Sequence, residues 1–223
     1  TYCIATSGRS PSPAELDRLV KVIRAIKQDY PLRVCLSPGL LDADQARRLK
    51  AAGLDRINHN LNTSRAFYPT ICSTHTYDER LATLRAAREA GLELCCGGLI
   101  GMGETEEDVA DFALTLAEFQ PEAVPINFLI PIEGTPLQGH HDLSPLYCLK
   151  VLAVLRFANP RSDLRIAAGR EIHLGPLQPL GLFAANSIFV GGYLTTRGQP
   201  PEQDFAMIQA LGFEIEQVGH AEG

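Results

Sequence analysis

The sequence predicts an α/β fold of the (β/α)8, TIM-barrel type that lacks its first βα unit. Short apolar runs alternate with amphipathic helices along the whole chain of 223 residues, which is typical of parallel sheets. About seven such runs can be counted, one fewer than a closed barrel needs. The chain opens directly inside a predicted strand, so we expect the missing unit at the N-terminal end. No linker or change in composition divides the chain, and a single partial domain over residues 1–223 is predicted.

Capping residues and apolar periodicity set the predicted helices. Ser12 caps the first one, with Pro13 at its first position and Glu15 completing a capping box, and an apolar stripe continues to Ile26. Gly53 is expected to end the second helix, because glycine tolerates the left-handed cap conformation. Predicted helices follow at residues 44–52, 77–90, 106–119, 146–157, 178–184 and 203–211. The predicted strands span residues 2–6, 33–36, 55–58, 92–99, 124–129, 164–167 and 187–190.

Composition and charge exclude several classes of function. Twenty Lys and Arg against 26 Asp and Glu give a net charge of −6 without a basic run, so no nucleic-acid partner is expected. The most apolar stretch, residues 179–194, is broken by Asn186 and Ser187 and is too short to span a membrane comfortably. Without a secretion signal the expected location is cytoplasmic, where the six cysteines are metal ligands, reactive thiols or buried apolar groups rather than disulfides.

Polar residues inside predicted strands are the first candidates for a site. Asn58, Asn60 and Asn62 recur with period two, which places them on one face of an extended segment. Amides both donate and accept hydrogen bonds and suit a urea-like or hydroxyl-bearing ligand. A polar loop leaving the strand would give the same pattern, and spacing alone leaves both interpretations open.

Three cysteines, Cys3, Cys35 and Cys95, lie in different predicted strands without the spacing of a metal motif. Their spacing alone favours buried structural cysteines. Cys96 must face the opposite side of its strand from Cys95. Arg165 stands in an apolar strand, where an internal ion pair with Asp or Glu is the ordinary interpretation. The glycine-rich run at 97–104 allows close approach of a nucleoside but is a weak signal by itself.

Several blocks of sequence resemble the biotin synthase family. They are residues 2–4 (Tyr-Cys-Ile), 57–64 (Ile-Asn-His-Asn-Leu-Asn-Thr-Ser), 74–77 (Thr-His-Thr-Tyr) with Arg80, 100–105 (Ile-Gly-Met-Gly-Glu-Thr), 168–171 (Ala-Gly-Arg-Glu) and 184–189 (Ala-Ala-Asn-Ser-Ile-Phe). The resemblance runs essentially from end to end, and it implies a radical S-adenosylmethionine (SAM) enzyme on a barrel of the radical-SAM type. Such an enzyme is a sulfurtransferase that converts dethiobiotin to biotin.

The resemblance also implies ligands for an auxiliary 2Fe-2S cluster whose bridging sulfide is the sulfur donor: Cys3, Cys35, Cys95 and Arg165. Arginine ligation is chemically unusual, because the guanidinium normally has no free lone pair. Asn60 and Asn127 match positions that hold the ureido ring of dethiobiotin. No catalytic side chain is implied beyond these binding groups.

Positions for SAM follow from the same resemblance. Asn62 and Arg80 match residues that contact its ribose and its amino-acid part, although Asn62 is often Asp in relatives. An adenine motif is matched at Gly97, Leu99, Gly101 and Glu104. Homolysis of SAM by a reduced 4Fe-4S cluster would give a 5′-deoxyadenosyl radical that abstracts hydrogen from dethiobiotin. The family further implies a homodimer and an electron donor protein such as flavodoxin or ferredoxin.

One departure from the family pattern is clear. The C-x3-C-x2-C triad that holds the 4Fe-4S cluster is not found in these 223 residues. We therefore expect that this stretch of chain by itself does not cleave SAM, although the intact protein would. Two alternatives remain. Another radical SAM enzyme of the same barrel type, such as a hydrogenase maturase relative, would not be expected to keep the whole ligand set. A non-catalytic iron–sulfur-binding barrel remnant is the other.

Overall fold

The computed structural model describes residues 1–193 and 196–216, and its centre is one parallel sheet. Its strands are β1 (Tyr2–Ala5), β2 (Val34–Ser37), β3 (Arg56–Asn58), β4 (Glu93–Cys95), β5 (Gly98–Ile100), β6 (Ala123–Phe128), β7 (Asp163–Ile166) and β8 (Ser187–Ile188). The pairing path runs β1-β2-β3-β4-β6-β7-β8, and β5 pairs with β6. Each strand thus lies beside its neighbours in sequence, as in a (β/α)8 barrel. The predicted partial barrel is confirmed.

Helices connect the strands. They are α1 (Pro13–Asp29), α2 (Ala43–Ala51), α3 (Tyr68–Ile71), α4 (Tyr77–Glu89), α5 (Glu106–Phe119), α6 (Pro145–Ala158), α7 (Arg170–Leu174), α8 (Gln178–Gly181) and α9 (Pro201–Ala210). Ser12 and Glu15 form the predicted capping box at the start of α1. A short antiparallel pair, β9 (Gly192–Tyr193) and β10 (Thr196–Arg197), follows the sheet. None of the helices in the described ranges is both long and apolar enough to cross a membrane.

The hydrophobic core lies between the sheet and its helices. Alternate residues of the central strands point into it and are completely shielded from solvent: Val34, Leu36, Ile57, Leu94, Val124, Ile126, Leu164 and Ile166. Helices α4, α5 and α6 contribute Leu84, Leu116 and Leu155 to the same cluster. Because successive side chains of a strand point to opposite sides, the intervening residues face the interior of the barrel.

Two elements differ from the sequence prediction. The strand expected over 92–99 is divided into β4 and β5, because Gly97 approaches β6 so closely that a Cβ there would lie 1.8 Å from the Pro125 carbonyl oxygen. At this position only glycine, which has no side chain, fits against the neighbouring strand. The helix expected over 178–184 is only the short α8, preceded by a 3-10 turn at Gly175–Leu177.

Candidate functional site

One face of the parallel sheet, which we call the inner face, carries the predicted strand residues. Register partners in parallel strands point to the same side, as do residues two apart in one strand. Strands β1 to β4 place Cys3, Cys35, Arg56, Asn58 and Cys95 on this face. Cys95 is in register with Ala123 of β6, and alternate residues after Ala123 in that strand are in register with Arg165 and Leu99, so Pro125, Asn127, Arg165 and Leu99 share the same face. Cys96 points to the other side and is fully buried in the core, as predicted.

The three inner-face cysteines lie close enough to influence one another. Burial, followed by the neighbouring Cys3 and Cys95 thiols, raises the pKa of Cys35 to about 12. Cys3 is exposed and lies in register with Cys35 on the adjacent strand. Burial also raises the pKa of Cys95, while the Arg165 and Arg56 guanidinium groups oppose that rise. Burial favours the protonated form of the Cys35 and Cys95 thiols, and metal binding would have to release their protons.

The donor set on the inner face fits a two-iron cluster better than a single ion. Within residues 1–193 and 196–216, no three His, Cys, Asp or Glu side chains come together as one metal ion requires. A 2Fe-2S cluster spreads four ligands over two irons, and thiolates are its usual donors. Cys3, Cys35 and Cys95 could supply three sulfurs from strands β1, β2 and β4, and Arg165 on β7 presents a fourth side chain on the same face.

The Arg165 side chain is held by neutral groups. Its Nε donates to Ser187 Oγ at 2.8 Å, and its guanidinium lies 5.4 Å from the centre of the Phe189 ring. Within the described ranges Arg165 makes no ion pair with a carboxylate, so the internal ion pair considered from the sequence is not formed there. Its guanidinium therefore remains available to the interior of the barrel.

A second inner-face arginine, Arg56, was not found from the sequence. Its Nε and Nη2 donate to Glu93 Oε2 at 3.0 and 2.7 Å. Arg56 stands in register with Cys35, and it opposes the rise in the pKa of both the Cys35 and the Cys95 thiol. The signal was present, since Arg56 and Asn58 show the same period-two pattern that drew attention to Asn58 and Asn60.

The asparagine segment leaves β3 and pairs with β5. Asn58, Asn60 and Asn62 are partly exposed, while His59 between the first two is buried. Asn62 adopts a left-handed backbone conformation with a φ of 71°. Its backbone N–H donates to the Gly97 carbonyl oxygen at 3.1 Å. Asn60 Oδ1 accepts from the Gly97 amide at 3.0 Å. The Nδ2 group of Asn60 has no hydrogen bond to another described residue and could bind a ligand.

Asn127 and Arg80 are positioned by hydrogen bonds at the rim of this face. Asn127 Nδ2 donates to the Gly98 carbonyl, and its Oδ1 accepts from the Ala168 amide, both at 3.2 Å. This uses two of the four hydrogen bonds that an amide side chain can make. Arg80 donates to the Tyr68 hydroxyl and to the Asn60 carbonyl, which places it beside the asparagine segment.

The glycine-rich run forms a tight turn between β5 and α5. Glu104 accepts from the amides of Gly101 at 2.6 Å and Met102 at 2.8 Å, so its carboxylate folds the turn. Gly101 has a φ of +103°, a conformation that other residues rarely adopt. A Cβ on Gly98 would lie 2.6 Å from the Asn62 carbonyl oxygen. The turn therefore allows close backbone contact, and the Glu104 carboxylate stabilises the conformation of the turn.

Two known family models match the chain. Residues 1–116 match the radical SAM superfamily model, and residues 125–214 match the model of the biotin and thiamin synthesis associated domain. The first match covers more than half of the chain, and the chain belongs to the radical SAM superfamily.

Among individual proteins, the chain is similar to biotin synthases. It is 54% identical to the biotin synthase of Bacillus subtilis (strain 168) over 98% of its own length, and 52% identical to that of Rhodopirellula baltica over 96%. These matches confirm the family resemblance seen in the sequence. The chain spans 65% and 60% of the length of these two curated relatives.

Solved structures support the barrel fold. A methylornithine synthase (PylB) superposes with a TM-score of 0.74 at 23% identity, covering 92% of this chain and 65% of that protein. The [FeFe]-hydrogenase maturase HydG gives a TM-score of 0.73 at 19% identity, covering 95% of this chain and 52% of HydG. At these identities the likeness concerns the fold alone. The likeness in fold therefore does not favour the alternative of a hydrogenase maturase relative over the biotin synthases, to one of which the chain is 54% identical.

Proposed function

We propose that the protein containing this chain is a biotin synthase, which converts dethiobiotin to biotin by SAM-dependent radical sulfur insertion. The observation that carries the proposal is the inner face of the sheet, where Cys3, Cys35, Cys95 and Arg165 come from four strands to one side. The 54% identity to a biotin synthase over nearly the whole chain supports it. The non-catalytic remnant has no comparable support.

In this proposal each group of residues has its own role. Cys3, Cys35, Cys95 and Arg165 hold a 2Fe-2S cluster, which when bound supplies the sulfur atom. Asn60, through its free Nδ2, and Asn127 bind the ureido ring of dethiobiotin. The positions for SAM are Asn62, Arg80, Gly97, Leu99, Gly101 and Glu104, with Glu104 acting through the turn that it folds.

The inner face also explains why a barrel suits this chemistry. A reactive radical must meet its substrate and the sulfur donor in a fixed order, since orientation and exclusion of water decide the product. Asn60 and Asn62 lie on the segment beside β5, and Asn58, just before them, is in register with Cys95. The residues proposed for substrate and SAM thus adjoin those proposed for the cluster.

Other parts of the proposal depend on the whole protein. The 4Fe-4S cluster would need the C-x3-C-x2-C triad, which these 223 residues do not contain. We infer a single barrel domain, which is supported by the pairing of β5 with β6 across the two matched family regions. A cytoplasmic location, a homodimer and an electron donor of the flavodoxin or ferredoxin type follow from the family resemblance.

Two adjacent cysteines provide the test. In the full-length protein, reconstituted anaerobically with iron and sulfide, Cys95→Ala should lose the 2Fe-2S signal in Mössbauer spectra and biotin formation from dethiobiotin. Cys96→Ala is the matched control, since its thiol points into the core, and it should keep both. A Cys95→Ala protein with an intact 2Fe-2S signal and normal biotin formation would contradict the proposal.

A further inference from the structure

Arg56 places a positive charge on the inner face, next to the cysteines. It is the register partner of Cys35, and Asn58, two residues later on the same face, is the partner of Cys95. Its side chain is only 16% exposed. The contact with Glu93, through both Nε and Nη2, fixes the direction of the guanidinium.

The charges at this end of the inner face do not cancel. Glu93 pairs with Arg56 and also with Arg33, so one carboxylate serves two guanidinium groups. A half-buried surplus of positive charge is costly unless an anionic group lies near it. The arrangement therefore fits an anionic group at the cysteines.

We propose that Arg56 is a positioning residue that stabilises the negative charge of the iron–sulfur cluster at Cys35 and Cys95, with Glu93 holding its guanidinium in place. The inference rests on the proposed function. A cation beside an iron–sulfur cluster favours the reduced state, because reduction adds negative charge, and net charge is one of the determinants of cluster potential. Arg56 is thus expected to make the cluster easier to reduce.

The test is a redox titration of the 2Fe-2S cluster in the full-length protein. Arg56→Gln should make the reduction equilibrium at least about tenfold less favourable, which is 59 mV toward negative potential for one electron. Arg56→Lys, which keeps the charge, should recover most of that change. Arg33→Gln is the matched control: Arg33 shares the Glu93 carboxylate, but its side chain is 48% exposed, so a clearly smaller shift is expected.

A second variant covers the case in which Arg56→Gln does not fold. Arg56→Met also removes the charge but keeps the apolar stem of the side chain, so it should shift the potential in the same negative direction. A wild-type potential in either Arg56→Gln or Arg56→Met would overturn the role of Arg56 alone. A wild-type protein without any 2Fe-2S signal would instead overturn the proposed function, and this inference with it.

Discussion

The two faces of the parallel sheet differ sharply in the residues they carry. Toward the helices the strands present only apolar side chains at their centres, such as Leu36, Leu94 and Ile166, which solvent does not reach. Toward the interior of the barrel the same strands present cysteines, arginines and asparagines. Leu94 and Cys95 are consecutive in β4, yet one packs in the core and the other faces the candidate cluster site.

This difference separates stability from chemistry within single strands. Burial of apolar surface on the outer face supplies the main driving force for folding, since it removes that surface from water. The inner face then tolerates groups that stabilise little by themselves, such as the protonated thiol of Cys35. A substitution on one face should consequently affect the protein in a different way from a substitution on the other.

The largest effect on stability is expected from Leu94→Ala. Its side chain is 0% exposed in the core, and large-to-small substitutions at such sites cost about 2–5 kcal/mol of unfolding free energy. Asn58→Ala is the inner-face control, and it should cost less than about 1 kcal/mol, because the buried Asn58 Oδ1 has no hydrogen-bond partner to lose. Urea unfolding measures both. Equal losses of unfolding free energy in the two variants would contradict the idea that the outer face, toward the helices, supplies most of the stability.

His59 is the polar exception on the outer face and predicts a pH dependence. It is 5% exposed, and burial, followed by the charges of Arg80 and His75, lowers its pKa from 6.5 to about 3. Below pH 6.5 the His59 imidazole is protonated in the unfolded chain but stays neutral in the folded chain. The free energy of unfolding therefore falls as the pH falls. The slope should approach about 1.4 kcal/mol per pH unit between pH 6 and pH 4.

The variant His59→Leu isolates this contribution. It removes the buried imidazole, whose Nε2 has no hydrogen-bond partner, and should make the loss of stability between pH 6.5 and pH 4 shallower than in the wild type. His141→Gln, at an exposed position, is the control and should follow the wild-type curve. Urea unfolding at several pH values measures the three slopes. A wild-type slope in His59→Leu would show that the imidazole does become protonated in the folded state.

Much of the fold was predictable because its signals are local. Ser12 and Glu15 form a capping box from side chains three residues apart, and the alternation of core residues follows directly from strand geometry. The division of the strand at Gly97 was not predictable, since it depends on the Pro125 carbonyl of another strand. The helix at 178–184 was overestimated, because its Leu and Gln pattern does not reveal the preceding 3-10 turn.

The sequence was sufficient to propose members of the candidate site but not the contacts between them. The inner-face positions of Cys3, Cys35, Cys95 and Arg165 agree with the roles implied by the family resemblance, although spacing alone favoured structural cysteines. Arg56 was missed because its pairing with Glu93 joins residues 37 positions apart in the chain. Contacts between strands depend on their register, and one sequence by itself does not specify that register.

The smallest predicted effect is on the reactivity of Cys72, which lies outside the sheet. It follows α3, with its Sγ 3.5 Å from both Thr74 Oγ1 and His75 Nδ1. Although burial raises its pKa, hydrogen bonds from Thr74, Tyr68 and backbone amides lower it to about 7. Iodoacetamide labelling of Cys72, followed by peptide mapping, should therefore have its midpoint near pH 7, with a rate at pH 7 about three- to fourfold above that of an ordinary cysteine. Thr74→Ala should raise the midpoint, whereas the buried Cys35, with its pKa of about 12, should label more slowly than Cys72. A midpoint that does not move in Thr74→Ala would show that the contact with Thr74 does not activate the thiol.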